Sequence, residues 1–304
     1  MKYKILPYAV VPLLMVTTST IIYLAINESW SFEITSYFIF LFSSAYVLIF
    51  EQVLPLKPDW KARKSDFWPE LKHFLLSTTL FDALGKAAAL ALVLYIQDSF
   101  FTAASIWEKI PFILSFLIAL LIGELLPYFY HRLSHTGKRN SILSMFLWKV
   151  HSIHHLPESM NWFKTNWIHP INIFLNTVLK ITPLLMLGFN DRIIFAVSVT
   201  HVVIAYISHA NIQTKTGFLD YIVITPRVHH FHHSQKLEEA GNFGNIIPFW
   251  DIVFGTYYNR KGKVEQVGVI KEYLSYPKDK DYVQQMSFPF RNMFKDCCRA
   301  SVAN

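Results

Sequence analysis

The sequence predicts an all-α integral membrane protein with four transmembrane helices, a helical hairpin and a cytoplasmic, histidine-rich helical cap. Three observations support this fold class. Only 16% of the 304 residues are charged and 53% are hydrophobic, whereas soluble domains carry roughly 25% charged residues. The apolar residues gather in stretches long enough to cross a bilayer. Nine of the thirteen histidines form three clusters at helical spacing between residues 131 and 233.

The apolar stretches predict the membrane-spanning elements. A helix needs about 20 apolar residues to cross the hydrocarbon core of a bilayer. Two stretches near Asn190, at residues 171–189 and 191–209, predict a hairpin that either crosses the membrane or is re-entrant. The first stretch of the chain lacks a small-x-small cleavage site, so we interpret it as a retained helix and not as a signal peptide. The four stretches before the histidine clusters are residues 8–26, 34–54, 74–96 and 108–130.

Loop charges predict the orientation of these helices. On one side of the membrane, the loop at 27–33 contains no basic residue, and the next two loops contain only Lys109 and only Arg192. The loops on the other side are rich in basic residues. Because basic loops stay in the cytoplasm, we expect both termini and all three clusters there, at a bacterial inner membrane or at the endoplasmic reticulum of a eukaryote. The basic loop residues are Lys2, Lys4, Lys57, Lys61, Arg63, Lys64, Lys72, Arg132, Lys138, Arg139, Lys149 and Lys164.

Composition also limits the partners and the domain organisation. The formal charge of +7 is scattered through loops and forms no stripe, so no nucleic-acid partner is predicted. The adjacent Cys297 and Cys298 cannot build an ordinary disulfide framework, which indicates a reducing compartment. We divide the chain into N-terminal transmembrane helices (1–107), a histidine-containing catalytic region (108–257) and a basic cytoplasmic tail (258–304).

The histidine clusters have the spacing of metal ligands. Residues three or four apart lie on one face of a helix, so each cluster presents its imidazoles in one direction. Eight imidazoles exceed the four ligands of a structural zinc, so two metal ions with a nitrogen shell are predicted. The alternative is a set of unrelated core or surface histidines. The eight candidate ligands are His131, His135, His151, His154, His155, His229, His232 and His233.

Other histidines are assigned one by one. His209 ends the last apolar stretch on the cytoplasmic side and is predicted to be a further ligand, since ionisable groups within membranes are functional by default. His169 precedes Pro170 and is either a ligand or a helix cap. His230 competes with the ligands of its own cluster. His201 is interpreted as a hydrogen-bonded core histidine.

One carboxylate shares a helix face with the first cluster. Glu124 lies in the fourth apolar stretch, seven and eleven residues before His131 and His135. Metal-bound histidines usually donate their second N–H to a carboxylate or a carbonyl. Glu124 is therefore a candidate acceptor for such a histidine, with an interhelical hydrogen bond as the alternative.

The motifs together resemble the fatty acid hydroxylase/sterol desaturase superfamily of membrane di-iron oxygenases. The resemblance extends from about Glu124 to Tyr257 and is greatest to bacterial sterol-desaturase-like proteins and alkylglycerol monooxygenase. The motifs are HxxxH at His131, HxxHH at His151 and at His229, and the sequences Tyr130-His131-Arg132, His169-Pro170, Pro226-Arg227-Val228-His229, Asn242-Phe243-Gly244-Asn245, Trp250-Asp251 and Phe254-Gly255-Thr256.

This resemblance implies a reaction. Two iron ions, which zinc can replace in purified protein, would use dioxygen to oxidise a C–H bond of a fatty acyl, sterol or alkylglycerol lipid to an alcohol or an alkene. The sequence has no flavin, nicotinamide, haem or iron–sulfur motif, so electrons would come from a cytochrome b5-like protein, a ferredoxin or a reductase. Basic cytoplasmic loops suit an acidic donor.

Two other functions remain open at this stage. A metal transporter would hold its site near the middle of the bilayer, whereas these clusters are predicted at one face. A zinc-dependent membrane hydrolase of the His-Glu-x-x-His type needs a glutamate directly after the first histidine, where this chain has Arg132.

Overall fold

The computed structural model describes residues 4–100, 106–138 and 140–298. Within these residues the fold is helical, with two isolated β-bridges and no strand, which confirms the all-α prediction. Lys2, Arg139 and the side chain of Cys298 lie outside the described part. The α-helices are α1 (Leu6–Asn27), α2 (Phe32–Val53), α3 (Phe67–Lys72), α4 (Leu80–Phe100), α5 (Phe112–Ser134), α6 (Ile142–His155), α7 (Pro170–Met186), α8 (Asp191–His209), α9 (Pro226–His232), α10 (Phe249–Val253), α11 (Tyr282–Ser287) and α12 (Met293–Cys298).

Short helical turns join the longer elements. A π-helix over His73–Thr79 connects α3 to α4 without a break, so the chain is continuously helical from Lys64 to Ile96. The 3-10 turns are Pro58–Trp60, Lys64–Asp66, Ile106–Glu108, Trp162–Asn166, Gly217–Tyr221 and Phe288–Phe290.

Five helical segments of the described chain are long and apolar enough to cross a membrane, so the protein is an integral membrane protein. Four of them correspond to the four predicted stretches. The fifth is the second arm of the predicted hairpin, while its first arm, Pro170–Met186, is a shorter apolar helix of 17 residues. The five segments are Leu6–Asn27, Phe32–Val53, Lys64–Ile96, Phe112–Ser134 and Asp191–His209.

The α7–α8 hairpin runs the length of α5. Its turn contains Gly188, which has a positive φ of 73°, and Asn190, whose side chain caps α8. The indole N–H of Trp107 donates to the carbonyl of Leu187 at 2.6 Å, and its ring stacks on Phe189 with centroids 3.8 Å apart. Trp107 precedes the N-terminus of α5, so the turn lies at the end of α5 opposite to its histidines.

Helix α7 packs against both α4 and α5. The approach of α4 is close because Gly85 carries no side chain: an added Cβ would lie 2.9 Å from the Cβ of Thr177. The hydroxyl of Thr177 also donates to Asp82 at 2.7 Å, and Asp82 pairs with Lys86 at 2.7 Å. These polar contacts fix α4 on α7.

A buried glutamate joins the long helices to the histidine-bearing part. Glu51, at the end of α2, is 3% exposed. Its Oε1 accepts the backbone N–H of Trp162 at 2.7 Å and that of Asn211 at 2.8 Å. Trp162 begins a 3-10 turn and Asn211 follows the end of α8, so neither N–H has a helical carbonyl as acceptor. A carboxylate is therefore a strong partner for both.

The described residues after 258 pack onto α6. Among them, Leu274, Phe288 and Cys297 form a buried cluster with Met145 and Ile153 of α6.

An ion pair fixes the end of this segment. Lys149 of α6 is fully buried, and its ammonium group contacts Asp296 at 2.6 Å and the carbonyl of Arg291 at 2.6 Å. The C-terminal segment thereby supports the helix that carries the second histidine cluster.

Candidate metal centre

Nine histidines gather in two adjacent groups. Within each group the nearest ring nitrogens all lie within 4.8 Å of one another. Eight of the nine side chains are buried, and His135 is half-buried. The five-histidine group consists of His131, His135, His151, His155 and His232, and the four-histidine group consists of His154, His209, His229 and His233.

The ends of four helices bring these residues together. The C-terminal turns of α5, α6, α8 and α9 converge, each carrying one or more of the histidines. Helix α9 is only seven residues long and is initiated by the Thr225 side chain, which accepts from the N–H of Val228, and by Pro226 at its first position. His154 and His155 are adjacent in α6 but point in different directions, so each enters a different group.

The contacts between imidazoles have the lengths expected around a metal ion. Two lone pairs that face each other repel unless a cation lies between them. Two ligands at right angles, each about 2.1 Å from one ion, lie about 3.0 Å apart. The Nε2–Nε2 distances are 3.0 Å for His131–His151 and His151–His155, 3.1 Å for His154–His209, 3.0 Å for His209–His229 and 3.1 Å for His229–His233.

The second nitrogen of several rings is held by an oxygen atom. We assign the proton to Nδ1 in these rings, which leaves the lone pair on Nε2 free for a metal. The Nδ1 acceptors are the carbonyls of Phe243 for His131 (2.7 Å), Gly241 for His232 (2.8 Å), Trp167 for His154 (3.1 Å) and Ala205 for His209 (2.9 Å), and the Asn172 side chain for His151 (3.0 Å).

Burial keeps the imidazoles neutral. Loss of solvent lowers the pKa of His154 to about 4. Burial, together with the neighbouring His131, holds the pKa of His232 well below its ordinary value. At neutral pH these rings offer a lone pair. The Nε2 atoms of His135 and His232 are also buried without a hydrogen-bond partner in the described protein. The donor set therefore fits two transition-metal ions.

His169 and His230 lie outside both groups. His169 caps α7: its Nδ1 accepts from Ile171 at 3.2 Å, and its Nε2 donates to the carbonyl of Met286 at 3.2 Å. Of its two predicted roles, the structure therefore shows the cap. His230 faces the ring of Trp60 with centroids 5.5 Å apart.

His201 differs from its prediction. It was expected to be hydrogen-bonded in the core, and this is wrong, because its buried Nδ1 has no partner among the described residues. The ring instead lines a cavity of ≈ 90 Å³ between α5, α7 and α8. Histidines of both groups, among them His131 and His209, line the same cavity.

Glu124 supports the site through the backbone and not through a histidine. Its Oε2 accepts the N–H of Asn245 at 2.8 Å and that of Ile246 at 2.9 Å. The adjoining residue Phe243 supplies the carbonyl to which His131 donates. Glu124 thus positions the loop that orients His131. Of the two roles considered for Glu124, the structure shows a hydrogen bond to another element and no hydrogen bond from a histidine among the described residues.

Asp251 was missed as a positioning residue. It is fully buried and accepts from the N–H of Phe243 at 2.7 Å, the N–H of Gly244 at 2.8 Å and the hydroxyl of Thr256 at 2.7 Å. Burial raises the pKa of its carboxyl group. A Cβ at Gly244 would clash with the carbonyl of Ile247, so the loop needs glycine there. The Asn-Phe-Gly-Asn and Trp-Asp motifs contain these residues, but the motifs alone indicate no structural role for Asp251.

Asn172 was also missed. It lies on one face of α7 with Asn176 and Lys180, at four-residue spacing, which is an unusual polar stripe on an apolar helix. Its Oδ1 accepts from His151 and from the hydroxyl of Tyr130 at 3.2 Å.

Comparison with known proteins agrees with this geometry. The sequence pattern of the Fatty acid hydroxylase family matches residues 116–256. The chain is 27% identical over 226 residues to the ornithine lipid hydroxylase OlsE of Rhizobium tropici, covering 73% of this chain and 66% of that protein. It is 25% identical over 204 residues to the alkylglycerol monooxygenase of Danio rerio, covering 66% of this chain and 42% of that protein.

No solved structure matches the chain. The matches to OlsE and to alkylglycerol monooxygenase leave more than a third of each protein's length uncovered. Within the chain, the matched region contains all nine histidines of the two groups. Residues 116–256 therefore match the Fatty acid hydroxylase family, which confirms the resemblance to the fatty acid hydroxylase/sterol desaturase superfamily.

Proposed function

We propose that the protein is a di-iron oxidoreductase that uses dioxygen to hydroxylate a membrane lipid. The observation that carries this proposal is the pair of adjacent, buried histidine groups at the ends of four helices. Hydroxylation is favoured over desaturation because one relative is named a hydroxylase and the other a monooxygenase. A lipid substrate is supported by both names.

The five-histidine group and the four-histidine group would each hold one iron ion. Imidazole also suits zinc, so purified protein can contain zinc in the same positions. Bound there, the metal pair would supply dioxygen activation for the oxidation of a C–H bond. His169 is left out of the ligand set because both of its ring nitrogens are engaged elsewhere.

The protein's own residues orient and shield this centre. The carbonyls of Gly241 and Phe243 and the side chain of Asn172 hold the tautomer and the direction of three rings. Glu124 and Asp251 in turn fix the backbone that carries two of those acceptors. The buried position excludes bulk water, which would otherwise compete for the reactive centre.

An external donor would supply the electrons. The sequence contains no fingerprint of a flavin, nicotinamide, haem or iron–sulfur cofactor. We propose a cytochrome b5-like protein, a ferredoxin or a reductase as the partner, with dioxygen as the co-substrate. The basic loops would attract an acidic surface of this donor.

We further propose that the histidine-bearing cap and both termini are cytoplasmic, and that the N-terminal helices (1–107) lie in the membrane. The α7–α8 hairpin would cross the bilayer fully, because its turn contacts Trp107 at the far end of α5. Helix α5 has 23 residues and is about 34 Å long, against a hydrocarbon thickness of about 30 Å. Residues 108–257 would form the catalytic region, with the segment from 258 packed beneath it.

Cysteine labelling tests this topology. In a variant with Cys297 and Cys298 changed to alanine, single cysteines at Trp30 and Asn190 should react with a membrane-impermeant maleimide added outside. Cysteines at Ser65 and Asn140 should react only after permeabilisation, because they belong to the basic loops. Labelling of Asn140 from outside, with Ser65 protected, would contradict the proposal by separating the histidines from the cytoplasmic face.

Metal analysis combined with lipid oxidation tests the function. Protein purified with iron should contain about two metal ions per chain, one for each group. With a lipid extract, dioxygen and a reductase system, it should consume dioxygen and yield a hydroxylated lipid. One ion per chain in a folded, fully loaded preparation would contradict the two-metal centre. Two ions without dioxygen-dependent lipid oxidation would contradict the oxygenase and favour a metal-transport or hydrolytic role.

A further inference from the structure

The cavity beside the two histidine groups is too small for a hydrocarbon chain. It measures ≈ 90 Å³, which is room for a small group or several water molecules. The acyl chain of a membrane lipid is much larger than this space. Polar atoms of the lining that met only hydrocarbon would also lose their hydrogen bonds to water without replacement. An acyl chain would therefore bind poorly here.

Three polar side chains in this cavity lack protein partners. Neither ring nitrogen of His201 forms a hydrogen bond within the described part of the chain, and its Nδ1 is fully buried. The amide nitrogen of Asn245 is buried without an acceptor among those residues. Asn176 also forms no side-chain hydrogen bond to any described residue. Since buried polar groups normally have partners, the nitrogen atoms of His201 and Asn245 indicate a polar ligand, and the half-buried Asn176 lines the same cavity.

The available hydrogen-bond donors define what the ligand must offer. The amide nitrogen of Asn245 can only donate. His201 and Asn176 each carry an N–H group that can donate as well. The ligand therefore carries acceptor oxygens, such as those of an ester, amide or carboxylate group.

These residues extend the site from the histidines into the membrane helices. Asn172 contacts a histidine of the centre, and Asn176 lies one turn, or about 6 Å, further along α7. On α8, His201 lies eight residues, or about 12 Å, from His209. A lipid would then place its polar group between these side chains and its acyl chains outside, among the apolar helix surfaces.

We propose that the cavity binds the polar head group of the lipid substrate through Asn176, His201 and Asn245. The carbon that is hydroxylated then belongs to the head group or its linkage and not to an acyl chain. This inference rests on the proposed function. In the reaction, a C–H bond is replaced by C–OH with one oxygen atom of dioxygen. The other atom leaves as water, with two electrons from the external donor and two protons from solvent.

Isotope labelling in cells locates the new oxygen atom. Cells that express the wild-type chain, or its His155→Ala variant as control, are grown under ¹⁸O₂, and their total lipids are analysed by tandem mass spectrometry. We expect a lipid whose ¹⁸O label is retained in the head-group fragment and is missing from the control. Label in acyl fragments would overturn the inference while supporting the proposed function. If no lipid gains label beyond the control, the proposed function itself fails.

Substitutions in the cavity test the residues. The variants Asn176→Leu and His201→Leu are assayed with a total lipid extract in detergent micelles. The extract concentration for half-maximal turnover should rise at least 10-fold, while metal content stays as in the wild type. His201→Gln should recover part of the loss, because it retains hydrogen bonding.

Thr182→Val is the matched control, since its buried hydroxyl also lacks a partner among the described residues but lies outside the cavity. It should leave turnover and metal content unchanged. Unaltered concentration dependence in the folded, metal-loaded Asn176→Leu and His201→Leu variants would overturn the assignment. A fall in metal content in both variants would likewise overturn it, because these residues would then support the metal centre and not the substrate.

Discussion

Alanine in place of His154 or of His155 is expected to remove one metal ion in each case, but from different positions. His154 belongs to the four-histidine group and His155 to the five-histidine group. Each variant should keep about one ion per chain, since the other group retains all its ligands. Turnover should fall by more than 100-fold in both, beyond the roughly 10- to 100-fold loss that follows removal of an outer partner of a ligand. Metal content and lipid oxidation are measured on matched preparations.

His169→Ala is the control for this pair. Both of its ring nitrogens contact backbone groups of the described protein, so metal content should stay near two per chain. A loss of metal as complete as that of His155→Ala would return His169 to the ligand set. Full retention of both ions in His154→Ala would show that the four-histidine group does not bind metal as proposed.

Asp251→Ala should destabilise the protein strongly. The change leaves the buried N–H groups of Phe243 and Gly244 without an acceptor, at about 1–3 kcal/mol each, so we expect a loss of about 2–6 kcal/mol. The carbonyl of Phe243 should also lose its position, so the affinity of the five-histidine group for metal should fall with it. Thermal unfolding and metal content of the detergent-solubilised protein measure the two effects.

Thr256→Val provides the comparison for Asp251→Ala. It removes one hydrogen bond to the same carboxylate and one to the hydroxyl of Tyr128, and should cost about 1 kcal/mol for each. Asp251→Asn should lie between the two, because it keeps one acceptor oxygen. An unfolding temperature of Asp251→Ala equal to that of Thr256→Val would show that the loop does not depend on the carboxylate.

The helical fold and the histidine clusters could be predicted because both depend on spacing along one chain segment. Apolar length predicts the membrane helices, and three- or four-residue spacing places histidines on one helix face. The partition into two groups could not be predicted in this way. His154 and His155 are neighbours in sequence, and their separate groups depend on how α8 and α9 approach α6.

The positioning residues were harder to identify for a different reason. His131 and His232 donate to backbone carbonyls, which every residue carries. The residue types at 243 and 241 therefore do not reveal that these positions accept the hydrogen bonds. Glu124 was singled out by its helix face, yet its partners are backbone N–H groups of a distant loop. His201 was misassigned because an unsatisfied imidazole cannot be distinguished from a satisfied one in sequence.

The carboxylate of Glu51 has a consequence for how the protein can be divided. It joins α2 to the backbone at Trp162 and Asn211, and one hydrophobic cluster continues from Val10 in α1 to Val228 in the histidine-bearing α9. A fragment that starts at residue 108 would expose that cluster and lose both hydrogen bonds. The N-terminal helices are thus an integral part of the folding unit of the protein and not an exchangeable membrane anchor.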